Sequence, residues 1–295
     1  MKKRFIVLLV LLVSLTGNAF ASSNHSLINE EDSPVQFFAE YEQGFISIMS
    51  HTIKIGTNGT EFNYVTQGGQ DILFPFERIN VGAVINGRHR VSFLYQPFEL
   101  NTIVPFEDEV KVDGKTFGSP ADGDATNDTP MELKYSFPFW RLSYSYDILP
   151  QDDITLGLGL SLQIRNTSIV FKEVDGEQVA VGQNVGPVPA LHMYFMWETP
   201  VGINLSSDIT GSYASSALFN GADFDFEGSL LDASVRAGYR IKNNVELFSN
   251  FRLFGGTSSG TSNYPGTNWS VTSGGGRFSE NNLWTFSATL GCTMR

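Results

Sequence analysis

Four histidines are the side chains in this sequence best suited to moving a proton near neutral pH: His25, His51, His89 and His192. Ser50-His51-Thr52 and His89-Arg90-Val91-Ser92 hold the residue types of a Ser-His hydrolase. A serine-rich chain produces such neighbours without any catalytic purpose, and no histidine has an aspartate partner at a fixed spacing. Asp122-Gly123-Asp124-Ala125-Thr126-Asn127-Asp128 suggests a cation loop. A calcium loop of that kind needs Gly at its sixth place and Glu at its twelfth, which here are Asn127 and Leu133. It reads as a solvated loop. Asp223, Asp225 and Glu227 alternate with Phe224 and Phe226, the pattern of an exposed hairpin. Cys292 is the only cysteine, so no intrachain disulfide and no cysteine-based zinc site can form. No cofactor, metal site or catalytic residue is expected.

A second set of charges is more regular. Arg78, Arg90, Glu132, Arg141, Asp147, Arg165, Asp208, Asp232, Arg236, Arg240, Glu246 and Arg252 all fall on the polar face of an alternating stretch. If those faces turn inward, the charges must pair, because a buried charge without a partner is costly. The set is therefore a candidate ionic cluster: a structural plug, or the lining of a polar conduit.

The stretches that carry these charges alternate with a period of two, the mark of β-strands. In ITLGLGLSLQIR (154–165) every second residue is aliphatic and the others are small or polar. Ile79–Ile85 and Val91–Tyr95 alternate likewise around Asn86-Gly87, a strong hairpin signal. Similar runs occupy 131–148, 190–197, 203–210, 231–240, 245–253 and 284–294. The apolar set changes phase at Trp140, which predicts a β-bulge near Pro138. Short turns are expected near 86–88, 149–153, 198–202 and 241–244, and long polar segments near 56–77, 105–131, 166–187, 214–229 and 255–282. Asp-Gly pairs at 113–114 and 175–176 predict small hairpins inside the long segments. The first strand lies within 43–56, and residues 33–42 could extend it.

The chain opens MKKRFIVLLVLLVSLTGNAFA: a basic start, an apolar run of 11 residues, and Ala19-Phe20-Ala21. This reads as a secretory signal peptide over residues 1–21, too short to be a membrane anchor. The form of the leader suggests a Gram-negative source. The expected organisation is that leader, a partly disordered segment over 22–42, and a single β domain over 43–295. The chain has 19 basic residues, of which the leader holds three, leaving 16 against 31 acidic. So acidic a chain is a poor binder of nucleic acid.

Alternation alone does not separate a soluble sandwich from a barrel in lipid. Three features favour lipid. Every long segment falls at the same end of the strands. Trp140, Tyr144, Tyr146, Phe195, Trp197 and Tyr239 gather where outward faces would cross an interface. The polar faces are rich in Gly, Ser and Thr, as a narrow lumen requires. With the leader, the pattern resembles that of bacterial outer-membrane β-barrel proteins as an architectural class. The resemblance implies one antiparallel up-and-down barrel of about ten transmembrane strands, with short periplasmic turns and long extracellular loops. It further implies outer-membrane lipid and the barrel-assembly machinery as partners, a monomer, and the outer membrane as location, the periplasm being the alternative. The class usually ends in a terminal aromatic, whereas this chain ends Met294-Arg295. The expected role is non-enzymatic: surface binding or adhesion through the loops, or envelope structure. The alternatives are a narrow solute channel and a hydrolase of the omptin-like or lipid-modifying kind. An omptin-like site needs paired aspartates and an Asp-His pair at the external rim, and the histidines do not supply it.

Overall fold

The computed structural model describes residues 34–118, 129–149, 151, 153–174, 176, 178–216, 225–242, 244–261 and 278–295. The leader, His25, the Asp122–Asp128 loop, Asp223 and residues 262–277 lie outside these. The described strands are β1 (Val35–Ile55), β2 (Phe62–Asn63), β3 (Leu73–Ile85), β4 (His89–Gln96), β5 (Glu99–Phe106), β6 (Val110–Val112), β7 (Lys115–Phe117), β8 (Thr129–Ser136), β9 (Phe139–Asp147), β10 (Ile154–Glu173), β11 (Val179–Glu198), β12 (Ile203–Ser215), β13 (Asp225–Lys242), β14 (Val245–Thr261) and β15 (Phe278–Met294). Ten of them, β1, β3, β4, β9 and β10 through β15, form one antiparallel cylinder. It closes where β15 pairs with β1. Strands β5 and β8 add a flap on the upper half of β10, and β6–β7 is a separate hairpin.

The short turns fall where the alternation breaks. Asn86 (φ 50°) and Gly87 (φ 69°) both take the left-handed conformation that a two-residue hairpin needs. Asp113 (φ 50°) and Gly114 (φ 76°) do the same between β6 and β7. The first strand starts at Val35, so residues 35–42 belong to the barrel wall rather than to a separate N-terminal segment. The stretch 166–187 is not a long loop. It is mostly strand, since β10 runs to Glu173 and β11 begins at Val179.

The phase change at Trp140 has a cause other than a bulge. β8 and β9 both pair with β10, and Ser136↔Ser168 and Phe139↔Arg165 share one register. Odd-numbered residues from Met131 to Asp147 therefore point inward without interruption. What changes is the medium outside. Below Trp140 the outward residues are Leu142, Tyr144, Tyr146 and Ile148, all exposed; above it they include Glu132 and Lys134. The apolar inward residues, Met131, Leu133, Tyr135, Phe137 and Phe139, are buried above that level. β10 inverts at the same height, with Leu158 to Ile164 outward below and Phe171 buried inward above.

Below this level an apolar belt encircles the cylinder. Leu160 is 64% exposed, Leu191 71% and Leu290 72%, and Phe45, Phe93, Val235, Leu247 and Phe251 continue it. A monomer in water does not carry so extended an apolar surface. Tyr95 stacks on Trp140 at the upper border, while Tyr146, Trp197 and Tyr239 stand near the short turns. A tilted strand crosses a bilayer in about 9–11 residues. β10 and β11 have 20 each, so their upper halves rise beyond the belt.

Candidate functional site

The interior has two tiers. The lower one, at belt height, is ionic. Asp232 on β13 is fully buried and holds three guanidinium groups. Arg141 Nη1 lies 2.7 Å from its Oδ2, Arg252 Nη1 2.7 Å from its Oδ1, and Arg78 Nη1 3.4 Å from its Oδ2. Arg252 reaches on to Glu42, 3.1 Å away, whose other oxygen accepts hydrogen bonds from Asn250 and Thr289, both at 2.7 Å. Arg141 also donates to Gln163 Oε1 at 2.6 and 3.0 Å. Nearer the short turns, Glu40 accepts from Arg236 at 2.9 Å and Asn80 at 2.8 Å. The guanidinium of Arg236 lies over the Phe248 ring at 3.7 Å, and that of Arg90 over Phe38 at 3.9 Å. Such groups converge because each is on the inward face of its strand, and the cylinder brings those faces within side-chain reach.

Seven of the charges expected to cluster do so: Arg78, Arg90, Arg141, Asp208, Asp232, Arg236 and Arg252. Glu246 joins at the lower end through Asn204 (2.7 Å) and Arg295 (3.3 Å). Asp147 instead caps the adjacent turn, accepting from the backbone N–H of Leu149 and Leu156. Arg165 faces inward above the network, opposite Phe139. Two assignments are corrected. Glu132 is outside the wall, half exposed and 3.1 Å from Lys172, because the polar face turns outward above the belt. Arg240 keeps the inward phase, but its strand has there passed the end of the lumen, so it pairs with Glu198 in the open at 3.1 Å.

Glu40 and Glu42 are the members that sequence reasoning missed. Their signal was present: they alternate with Ala39, Tyr41 and Gln43 in phase with Gly44. The His192–Asp208 pair, 3.2 Å apart, was missed too, since its 16-residue separation reflects the pairing of β11 with β12.

The upper tier is an apolar core. Phe62, Phe106, Phe117, Met131, Leu133 and Phe171 pack with Ile53 and Tyr64, and Phe137, Phe139 and Phe254 lie beneath them. His51 belongs here. It is buried, stacked on Tyr64 at 4.3 Å, and its Nδ1 is 2.7 Å from Gln70 Oε1. Ser50 Oγ instead meets Asn282 at 3.4 Å, and His89 lies outside the wall, 3.0 Å from the Tyr144 hydroxyl. Neither Ser-His pairing seen in the sequence forms a catalytic couple. Within the ionic tier, a cavity lined by Glu40, Arg78, Asp208 and Arg252 among others has a volume of about 30 Å³. That is room for about one water molecule.

Among solved structures, the outer-membrane protease OmpT of Escherichia coli superposes with a TM-score of 0.53 at 11% identity, over 92% of this chain and 99% of that one. The fold is that of a bacterial outer-membrane β-barrel. OprG of Pseudomonas aeruginosa (TM-score 0.32, 11% identity, 88% of this chain and 96% of that one) and Ail of Yersinia pestis (0.29, 8%, 87% and 99%) are further matches of the same architecture. The sequence matches no family description and no curated protein. The barrel thus has the fold and the strand number that its alternation predicts. No group of His, Cys, Asp and Glu side chains with metal-binding geometry occurs among the described residues.

Proposed function

We propose that this barrel is a non-conducting, non-enzymatic anchor that holds a rigid binding platform at the cell surface. The observation that carries this reading is the filled interior. An ionic tier closes the membrane-spanning part and an apolar core closes the mouth above it. The strands that rise beyond the belt are tied to that core, so the surface they present is stiff. Large porins with an aqueous path have 16 or more strands, while small barrels fill their interior with side chains. The His192–Asp208 pair of the lumen lies within the polar packing, where a polypeptide substrate has no room beside it.

Planar-bilayer recording tests the closed lumen. Purified protein inserted at high copy number is expected to give no stepwise current in potassium chloride. Regular conductance steps from the wild type would overturn the anchor reading in favour of a narrow solute channel. For the platform, cells displaying the wild type are expected to adhere to at least one member of a panel of immobilised glycans and matrix proteins. Removal of residues 107–118, which include the β6–β7 hairpin, should weaken that adhesion while heat-modifiable migration persists.

A further inference from the structure

The barrel wall is not uniformly sealed. β11 pairs with β12 from Glu198↔Asn204 up to Leu191↔Gly211, and there the ladder stops. Both strands continue upward. β11 runs on beside β10 as far as Val179, and β12 runs on beside β13 as far as Ser215. The wall therefore divides above Leu191. Leu160 and Leu162, on the adjacent β10, lie at this height and belong to the apolar belt, so the division starts inside the membrane.

An open sheet edge in hydrocarbon is normally prohibitive, since its backbone groups have no water to bond. Here that edge is chemically quieted. Pro187 and Pro189 carry no N–H, yet β11 keeps its register with β10 at both positions, opposite Ile164 and Leu162. The missing donors are those that would have faced β12. The Pro189 carbonyl points the same way, and it accepts a hydrogen bond from Ser212 Oγ at 2.6 Å. One side-chain bond thus spans the gap where the ladder ends. Gly211 adds space, because a Cβ built there would meet nothing nearer than the Leu230 carbonyl oxygen at 3.9 Å. The result is a groove of about 720 Å³, walled by Leu160 and Leu162, Pro189 and Leu191, and Gly211 and Tyr213.

We propose that this groove between β11 and β12 is a binding site for one acyl chain of an outer-leaflet lipid. The occupant follows from the surroundings. The groove opens sideways from the belt into hydrocarbon, at the upper half of the bilayer, and its walls are mostly apolar, Ser161 and Ser212 being the small polar exceptions. Its β11 edge lacks the two donors that Pro187 and Pro189 would otherwise supply, which favours a saturated or unsaturated hydrocarbon chain over a polar ligand. A lipid so held is distinguished from the mobile lipids around the rest of the belt by the recess that receives it.

The test uses the full protein in phosphatidylethanolamine vesicles containing a trace of diazirine-bearing palmitic acid. After illumination, peptides are mapped by mass spectrometry. Adducts are expected to concentrate on 187–191 and 209–213 and to be competed by unlabelled palmitic acid. Gly211→Leu fills the groove, so labelling there should fall about tenfold as the chain loses the space of two or more methylene groups. Ala237→Leu, which places the same side chain on an outward position of an intact ladder, should leave labelling unchanged. Heat-modifiable migration checks that both variants remain folded. Adducts spread evenly around the belt, or equal labelling of folded Gly211→Leu and wild type, would overturn the proposal.

Discussion

Asp232→Ala is expected to be among the most damaging single substitutions in this protein. Asp232 is fully buried and meets Arg78, Arg141 and Arg252 at 2.7–3.4 Å. Removing the carboxylate leaves three guanidinium groups in a space too small to hydrate them. Breaking a buried ion pair in this way costs about 3–5 kcal/mol. Urea unfolding of vesicle-inserted protein, followed on gels by loss of the heat-modifiable band, measures it. Asp232→Asn keeps the shape and one acceptor and should lose less. The informative comparison is Asp232→Leu combined with Arg141→Met. That pair removes the central carboxylate with its closest cation, while Glu42 still holds Arg252 and lies 3.9 Å from Arg78. It should regain a measurable part of the stability lost by Asp232→Leu alone. A double variant as unstable as the sum of its parts would mean that Asp232 and Arg141 do not act as a unit.

The charges of this network were legible as a set but not as a network. Arg78, Arg141 and Arg252 stand on the polar faces of β3, β9 and β14, and alternation alone turns those faces inward once the outward ones meet lipid. What alternation cannot say is which residues share a height, because that depends on the stagger of ten strands. Asp232 and Arg141 are 91 positions apart and meet at 2.7 Å. The same gap in information explains Glu132. Its strand was read with one inside and one outside throughout, whereas the outside is lipid below Trp140 and water above it. A period of two reports that one face differs from the other; it does not report which of them is wet. The upper core was illegible for a related reason. Phe62, Tyr64 and Gln70 come from a segment with little alternation, and they are buried only because the rising strands make a mouth to fill. The ten-strand count, by contrast, needed only the positions of the turns, and Asn86-Gly87 and its counterparts marked those plainly.

That inversion of the exterior can be tested on one strand and one face. Leu160 and Asn166 both point outward from β10, and Leu160 is at the middle of the aliphatic run that ends at Ile164. Six residues along a strand span roughly 20 Å. Leu160→Arg should therefore put a charge near mid-bilayer and cost about 2–4 kcal/mol, whereas Asn166→Arg, above the belt, should cost about 0–1 kcal/mol. The inner face obeys different rules. Gly159, next to Leu160, is where a Cβ would run into the Tyr144 carbonyl, so Gly159→Leu should disrupt the wall through sterics and not through polarity. The three variants separate the causes, because thinning the bilayer with shorter-chain lipids should relieve Leu160→Arg and leave Gly159→Leu unrelieved. Equal stability of Leu160→Arg and Asn166→Arg would remove the membrane border from the height of Trp140. The apolar set would then change face, with the register unbroken, for some reason other than a passage from lipid to water.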